Sequence, residues 1–166
     1  MILFVPNVEK KIKEAIGDGQ MVAFTVDTHY SNYMDTEEGK NLPVPHCIMG
    51  TDGINLAPGI DKLARDAMQA GKRAAFFRKE TFGSIGMADL FKSNDTIEEV
   101  ELVGLCTDIC VISNAMVMKA ALPNAHIVVD AACCAGVTPE SHDTAIAAMK
   151  ACQVEVINQG NEPWRK

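Results

Sequence analysis

The sequence predicts one α/β domain over residues 1–166, built as three layers, α/β/α, around a mostly parallel sheet of five to six strands. Two observations carry this. From residue 21 onward, short apolar runs alternate with stretches of helical spacing, the pattern of strand–helix–strand units whose sheet is covered on both faces. A length of 166 residues with 48% hydrophobic content also suits a single body with an ordinary core.

Taken in order, Pro6 and Asn7 open a helix over VEKKIKEAI, with Val8, Ile12, Ala15 and Ile16 on one face and the glycines at 17 and 19 ending it. MVAFTV, residues 21–26, is a short apolar strand. Residues 27–58 are polar and rich in Gly and Pro, and a loop of that length in a compact domain is either functional or holds structure that the pattern does not reveal. Helical spacing returns over 59–70, followed by a strand at 73–77, a Gly-containing turn at 79–84 and a short helix, MADLF. The stretch EVELVGLCTDICVISNAMVMKAAL, 99–122, reads as a buried strand running straight into a helix, with Gly104 relaxing the backbone and Thr107 or Asp108 as N-cap. A strand at 126–130, a helix at 139–152 and a last strand at 154–157 complete the pattern.

Composition narrows the function. A net charge of −7 and a pI near 5.0 speak against nucleic acid or an anionic membrane surface as partner. No apolar run approaches the roughly 20 residues that span a bilayer, and MILFV is too short for a signal-peptide core. Six cysteines without secretory features point to reduced thiols in the cytosol rather than a disulfide framework, hence a cytoplasmic protein.

In sheets of this kind, ligands bind beyond the carboxyl ends of the strands. The residues of interest are therefore Asp27 to His29, Lys79, Cys106 to Cys110, and Asp130 to Cys134. Asp27 and His29 project from one side of a strand end, and the long loop can bring His46 back to meet them. Two imidazoles and a carboxylate suit a divalent metal, zinc foremost, with iron or manganese as alternatives. The plainer reading makes Asp27 a loop cap and both histidines surface residues. Cys110 falls in the first turn of its helix, where N–H groups favour a thiolate, and Lys79 is a cation suited to lowering a thiol pKa or holding a developing charge. Against this, cysteines are among the most buried residue types, and Cys110 could be core filler. Cys133 and Cys134, with Cys47 and Cys152, could in principle bind metal, but core packing is the simpler role. Tyr30, Tyr33 and Phe82 are candidate lining of a substrate pocket. His126, ahead of a strand, and His142, on the polar side of a helix, receive no function.

Three motifs in order then resemble the isochorismatase-like cysteine hydrolases, the superfamily that includes nicotinamidases: TVDTHYSNYMDTEEGKNLPVPHCIMGTDG, KETFGS, and VGLCTDICV followed by HIVVDAACCAGVTPESHDTAI. The resemblance covers the chain from residue 6 to residue 157 and implies a Rossmann-type strand order. It implies Cys110 as nucleophile of an amidase that passes through a thioester, Lys79 as its lysine, and an oxyanion hole around Cys106 and Cys110 shaped by a cis peptide at Leu105–Cys106. It implies Asp27, His29 and His46 as ligands of a metal that, in nicotinamidases, receives the substrate's ring nitrogen. It also implies dimers or larger homo-oligomers. Ether-cleaving members of the family generally lack the cysteine, so Cys110 argues against that chemistry. Two features depart from the pattern. Thr28 stands where nicotinamidases usually carry tryptophan, which weakens nicotinamide as the specific substrate. The family's opening strand, ending in a general-base aspartate, has no counterpart, since no acidic residue precedes Glu9. MILFV as a residual strand, a strand from a partner chain, or a longer natural protein would each fill that gap. The competing expectation is a catalytically impaired member that serves as a ligand- or metal-binding module.

Overall fold

A computed structural model describes residues 3–94 and 96–165. The chain divides into two compact units, Met1–Lys11 with Ile85–Lys166, and Ile12–Ser84. Every strand pairing is parallel, as alternating strands and helices require. Among the described residues, five strands pair as a two-stranded and a three-stranded sheet.

Helix α1 (Val5–Gly17) opens the described chain and buries Val8 and Ile12. Met1 and Ile2 of the expected residual strand lie outside the described residues, and Leu3 and Phe4 form a turn leading into α1. The smaller sheet pairs β1 (Val22–Asp27) with β2 (Ala74–Lys79), in register from Val22↔Ala74 to Asp27↔Lys79. Phe24 stacks on Phe76 across this pair, ring centroids 5.0 Å apart, which fixes the register that sets Asp27 beside Lys79. Between the two strands runs the long segment, which is structured rather than open. It holds a turn at Tyr33–Asp35, α2 (Glu37–Asn41), a turn at Asp52–Ile54, and α3 (Pro58–Gln69), which buries Ala64 and Ala67.

In the other unit, α4 (Ile85–Phe91) precedes a sheet of order β3–β4–β5, made of β3 (Glu99–Leu105), β4 (His126–Ala135) and β5 (Glu155–Ile157). Helices α5 (Ile112–Ala121) and α6 (Pro139–Ala151) contribute Ala115, Met118, Ala145, Ile146 and Met149 to its core. β4 is the middle strand and is buried from Ile127 to Cys134. It runs five residues beyond the expected end, so Asp130 to Cys134 lie within the strand and not past it. The carboxylate of Asp130 tolerates this position because Lys11 on α1 reaches it at 2.8 Å and the Ala132 N–H donates to it at 3.0 Å.

Candidate functional site

The first cluster is built in the smaller sheet's unit. Past the end of β1, the His29 N–H donates to the Cys47 carbonyl at 2.9 Å, and the Met49 N–H donates to the His29 carbonyl at 2.8 Å. This bridge brings the far end of the long segment back alongside His29. Asp27, His29 and His46 consequently converge, with one donor atom of each within 4.8 Å of the others. The His29 and His46 rings lie 4.8 Å apart, and buried Tyr33 packs against both. His46 Nδ1 lies 2.9 Å from the Val44 carbonyl; the N–H that must donate there leaves Nε2 with its lone pair, the form a metal ligand requires.

A fourth side chain belongs to this cluster, one that the sequence did not reveal. Glu38 Oε1 lies 3.4 Å from His29 Nε2 and 3.7 Å from His46 Nε2. Glu38 Oε1 and His29 Nε2 are both buried and make no hydrogen bond, the arrangement that a cation between them would satisfy. Glu38 is positioned by α2, whose start is capped by Thr36 accepting from the Gly39 N–H at 3.0 Å. Thr-Glu-Glu was the available signal, since it marks a helix start that carries acidic residues between the two histidines. The donor set of two imidazoles and carboxylates thus fits a divalent ion of the zinc, iron or manganese type.

Lys79 is buried and forms an ion pair with Asp27. Thr28 between the ligands is buried, while Tyr30 and Phe82 are exposed. Tyr33 is therefore the aromatic residue that contacts the histidines.

The second arrangement surrounds Cys110, in the unit of the larger sheet. Gly104, with φ of +125°, lets β3 leave its register against β4, and the Leu105–Cys106 peptide bond is cis. The chain then makes a π-type turn at Thr107–Val111, in which the Val111 N–H donates to the Cys106 carbonyl at 3.0 Å, before α5 begins. Neither Thr107 nor Asp108 caps a helix here. Cys106 occupies the cap position without a side-chain cap bond, and the Thr107 hydroxyl lies against His142 Nδ1 instead. The Asp108 carboxylate instead accepts from the Val137 N–H at 3.1 Å, and Asn114 Nδ2 donates to the Cys110 carbonyl at 2.8 Å. Cys106 and Cys110 are half-buried and Leu105 is exposed.

All six cysteines are thiols. Burial, with Asp130 nearby, pushes the Cys133 thiol up to about 12, and burial does the same for Cys134, so both stay protonated near neutral pH. Among the described residues no cysteine joins the metal-type cluster, and Cys133 and Cys134 are core. His126 is exposed at the start of β4, paired with Glu155 at 2.9 Å. His142 is the clear correction. It is fully buried against Thr107 and Glu162 rather than on a polar face.

Residues 2–160 match the isochorismatase domain, and the chain belongs to that family. The nicotinamidase/pyrazinamidase PncA of Bacillus subtilis superposes with a TM-score of 0.81 at 27% identity, over 93% of this chain and 84% of that one. A pyrazinamidase/nicotinamidase of Streptococcus mutans gives 0.81 at 22% identity, over 93% and 85%. A pyrazinamidase of Pyrococcus horikoshii, solved in complex with zinc, gives 0.71 at 18%, over 93% and 84%. The last two share the fold. Comparison with curated proteins found no match.

Proposed function

We propose that this protein is a cysteine hydrolase of the nicotinamidase type, cleaving a small-molecule amide to its acid and ammonia. The observation that carries the proposal is Cys110, half-buried in the turn that joins β3 to α5, in a member of the isochorismatase family that resembles the Bacillus subtilis nicotinamidase. The Cys110 thiolate attacks the amide carbonyl carbon, and backbone N–H groups near Cys106 and Cys110 hold the oxyanion. The C–N bond breaks, a thioester forms, and the nitrogen leaves as ammonia after taking up the proton that the thiol gave up. Water then cleaves the thioester and restores the thiol. A divalent ion held by Asp27, His29 and His46 would supply a Lewis-acid docking point for a ligand's lone pair. The protein is proposed to work in the cytoplasm as a homo-oligomer, which light scattering on the purified chain tests.

A second reading, a family member that binds a ligand or metal without turnover, is favoured by one observation. Lys79, the cation expected to serve the thiol, is engaged by Asp27. Alkylation separates the two readings. A nucleophilic Cys110 reacts with iodoacetamide near neutral pH well ahead of exposed Cys152, whereas equal rates at these two thiols favour the binding module.

A further inference from the structure

One buried polar chain in the larger sheet's unit is left unused by the chemistry above. Thr107 Oγ1 lies 2.8 Å from His142 Nδ1, and His142 Nε2 lies 3.3 Å from Glu162 Oε1. All three side chains are fully buried. The second Glu162 oxygen accepts from the Gly160 N–H at 2.9 Å and from Arg165 Nε at 2.5 Å, and Arg165 also pairs with Asp143. Trp164 packs its ring edge-on to His142 at 5.0 Å and donates its indole N–H to the Cys134 carbonyl at 3.0 Å. Gly136 makes the approach of α6 possible, because a Cβ there would sit 2.9 Å from the His142 backbone nitrogen.

The direction of the hydrogen bonds follows from the groups. Burial pushes Glu162 up, but the Arg165 guanidinium and the surrounding N–H groups outweigh it and hold the carboxyl below its usual range, so it only accepts. His142 Nε2 therefore carries the proton. Burial also lowers the His142 pKa, against the opposing pull of Glu162, so the ring is neutral and Nδ1 presents a lone pair. The Thr107 hydroxyl is the remaining donor, and its rotamer is locked. No substrate reaches this hydroxyl, which rules out a nucleophilic threonine. What the chain does reach is the first residue of the turn that carries Cys110.

We infer that His142 and Glu162 are positioning residues: through Thr107 they hold the Thr107–Val111 turn, and with it Cys110, in the geometry for attack. The inference rests on Cys110 being the nucleophile. Its readout is the second-order rate of Cys110 alkylation by iodoacetamide in the full-length protein, resolved by peptide mass, with exposed Cys152 and buried Cys133 and Cys134 as internal controls. Thr107→Val keeps the shape and removes the donor; it is expected to slow Cys110 about tenfold, with Thr107→Ser restoring the rate to within about twofold. Glu162→Gln, acting at the far end of the chain, slows Cys110 in the same direction and serves if Thr107→Val does not fold. Wild-type rates at Cys110 in folded Thr107→Val and Glu162→Gln overturn the inference alone. So does faster reaction of Cys133 and Cys134 in the variants, which signals loosened packing. A wild-type Cys110 no faster than Cys152 overturns the nucleophile reading and this inference together.

Discussion

His29 Nε2 and Glu38 Oε1 face each other across 3.4 Å inside the protein, and neither atom makes a hydrogen bond. Each orphaned buried polar atom costs about 1–3 kcal/mol, and a cation shared between them removes both penalties. Purified protein is therefore expected to carry divalent metal. His29→Ala with His46→Ala abolishes binding, and Glu38→Gln weakens it about tenfold. Metal analysis and competition with a chelator measure this. Content unchanged in the double variant would move the ion away from these residues.

Lys79 and Asp27 form the second test. The Lys79 side chain is 4% exposed and that of Asp27 is 23% exposed. In metal-free protein, Lys79→Met removes the buried ion-pair partner of Asp27 and is expected to cost about 2–3 kcal/mol, short of the roughly 3–5 kcal/mol typical of fully buried pairs because Asp27 keeps some solvent. A urea midpoint equal to wild type would contradict the ion pair.

Gly39 is the steric hinge of the histidine cluster. A Cβ at this position would lie 2.0 Å from the Tyr33 carbonyl oxygen, a contact that backbone cannot relieve cheaply. Gly39→Ala is expected to lose about 1–3 kcal/mol and, by displacing α2 and Glu38, to lower metal affinity alongside. Full affinity in a folded Gly39→Ala protein would detach Glu38 from the cluster.

Acid should weaken the fold from the C-terminal side. His142 titrates below its ordinary 6.5, so the unfolded chain takes up its proton first and stability falls as pH drops below 6.5. Glu162 is held below its ordinary 4.5, so its contribution is lost at lower pH still. The urea midpoint is expected to fall from about pH 7.5 to about pH 5.5, with the fall reduced in His142→Gln. A midpoint that rises on acidification would contradict the burial of a neutral His142.

The strands and the convergence of Asp27, His29 and His46 were legible because each rests on local pattern: apolar runs, an i, i+2 pair at a strand end, and a long loop able to return. What was not legible depends on distant chain. His142 stands in a polar stretch, SHDT, and is buried only because Glu162, Trp164 and Arg165 fold back over it. Asp130 reads as the end of a strand, but Lys11 on α1 and the Ala132 N–H satisfy its carboxylate and let β4 continue through it. Thr107 reads as a cap by local preference, but its hydroxyl faces His142, and the i+5 bond from Val111 to Cys106 widens the turn. Glu38 lacked any periodic signal, since α2 is one turn long.

Ammonia release tests the proposed chemistry most directly. Wild-type protein, supplied with zinc, iron or manganese, is incubated with nicotinamide, pyrazinamide and a panel of other small amides. Release above background is expected from at least one amide, together with its loss in Cys110→Ala. Release that is undiminished in Cys110→Ala, or absent with every amide and metal tried, would contradict the reading of this protein as a cysteine amidase.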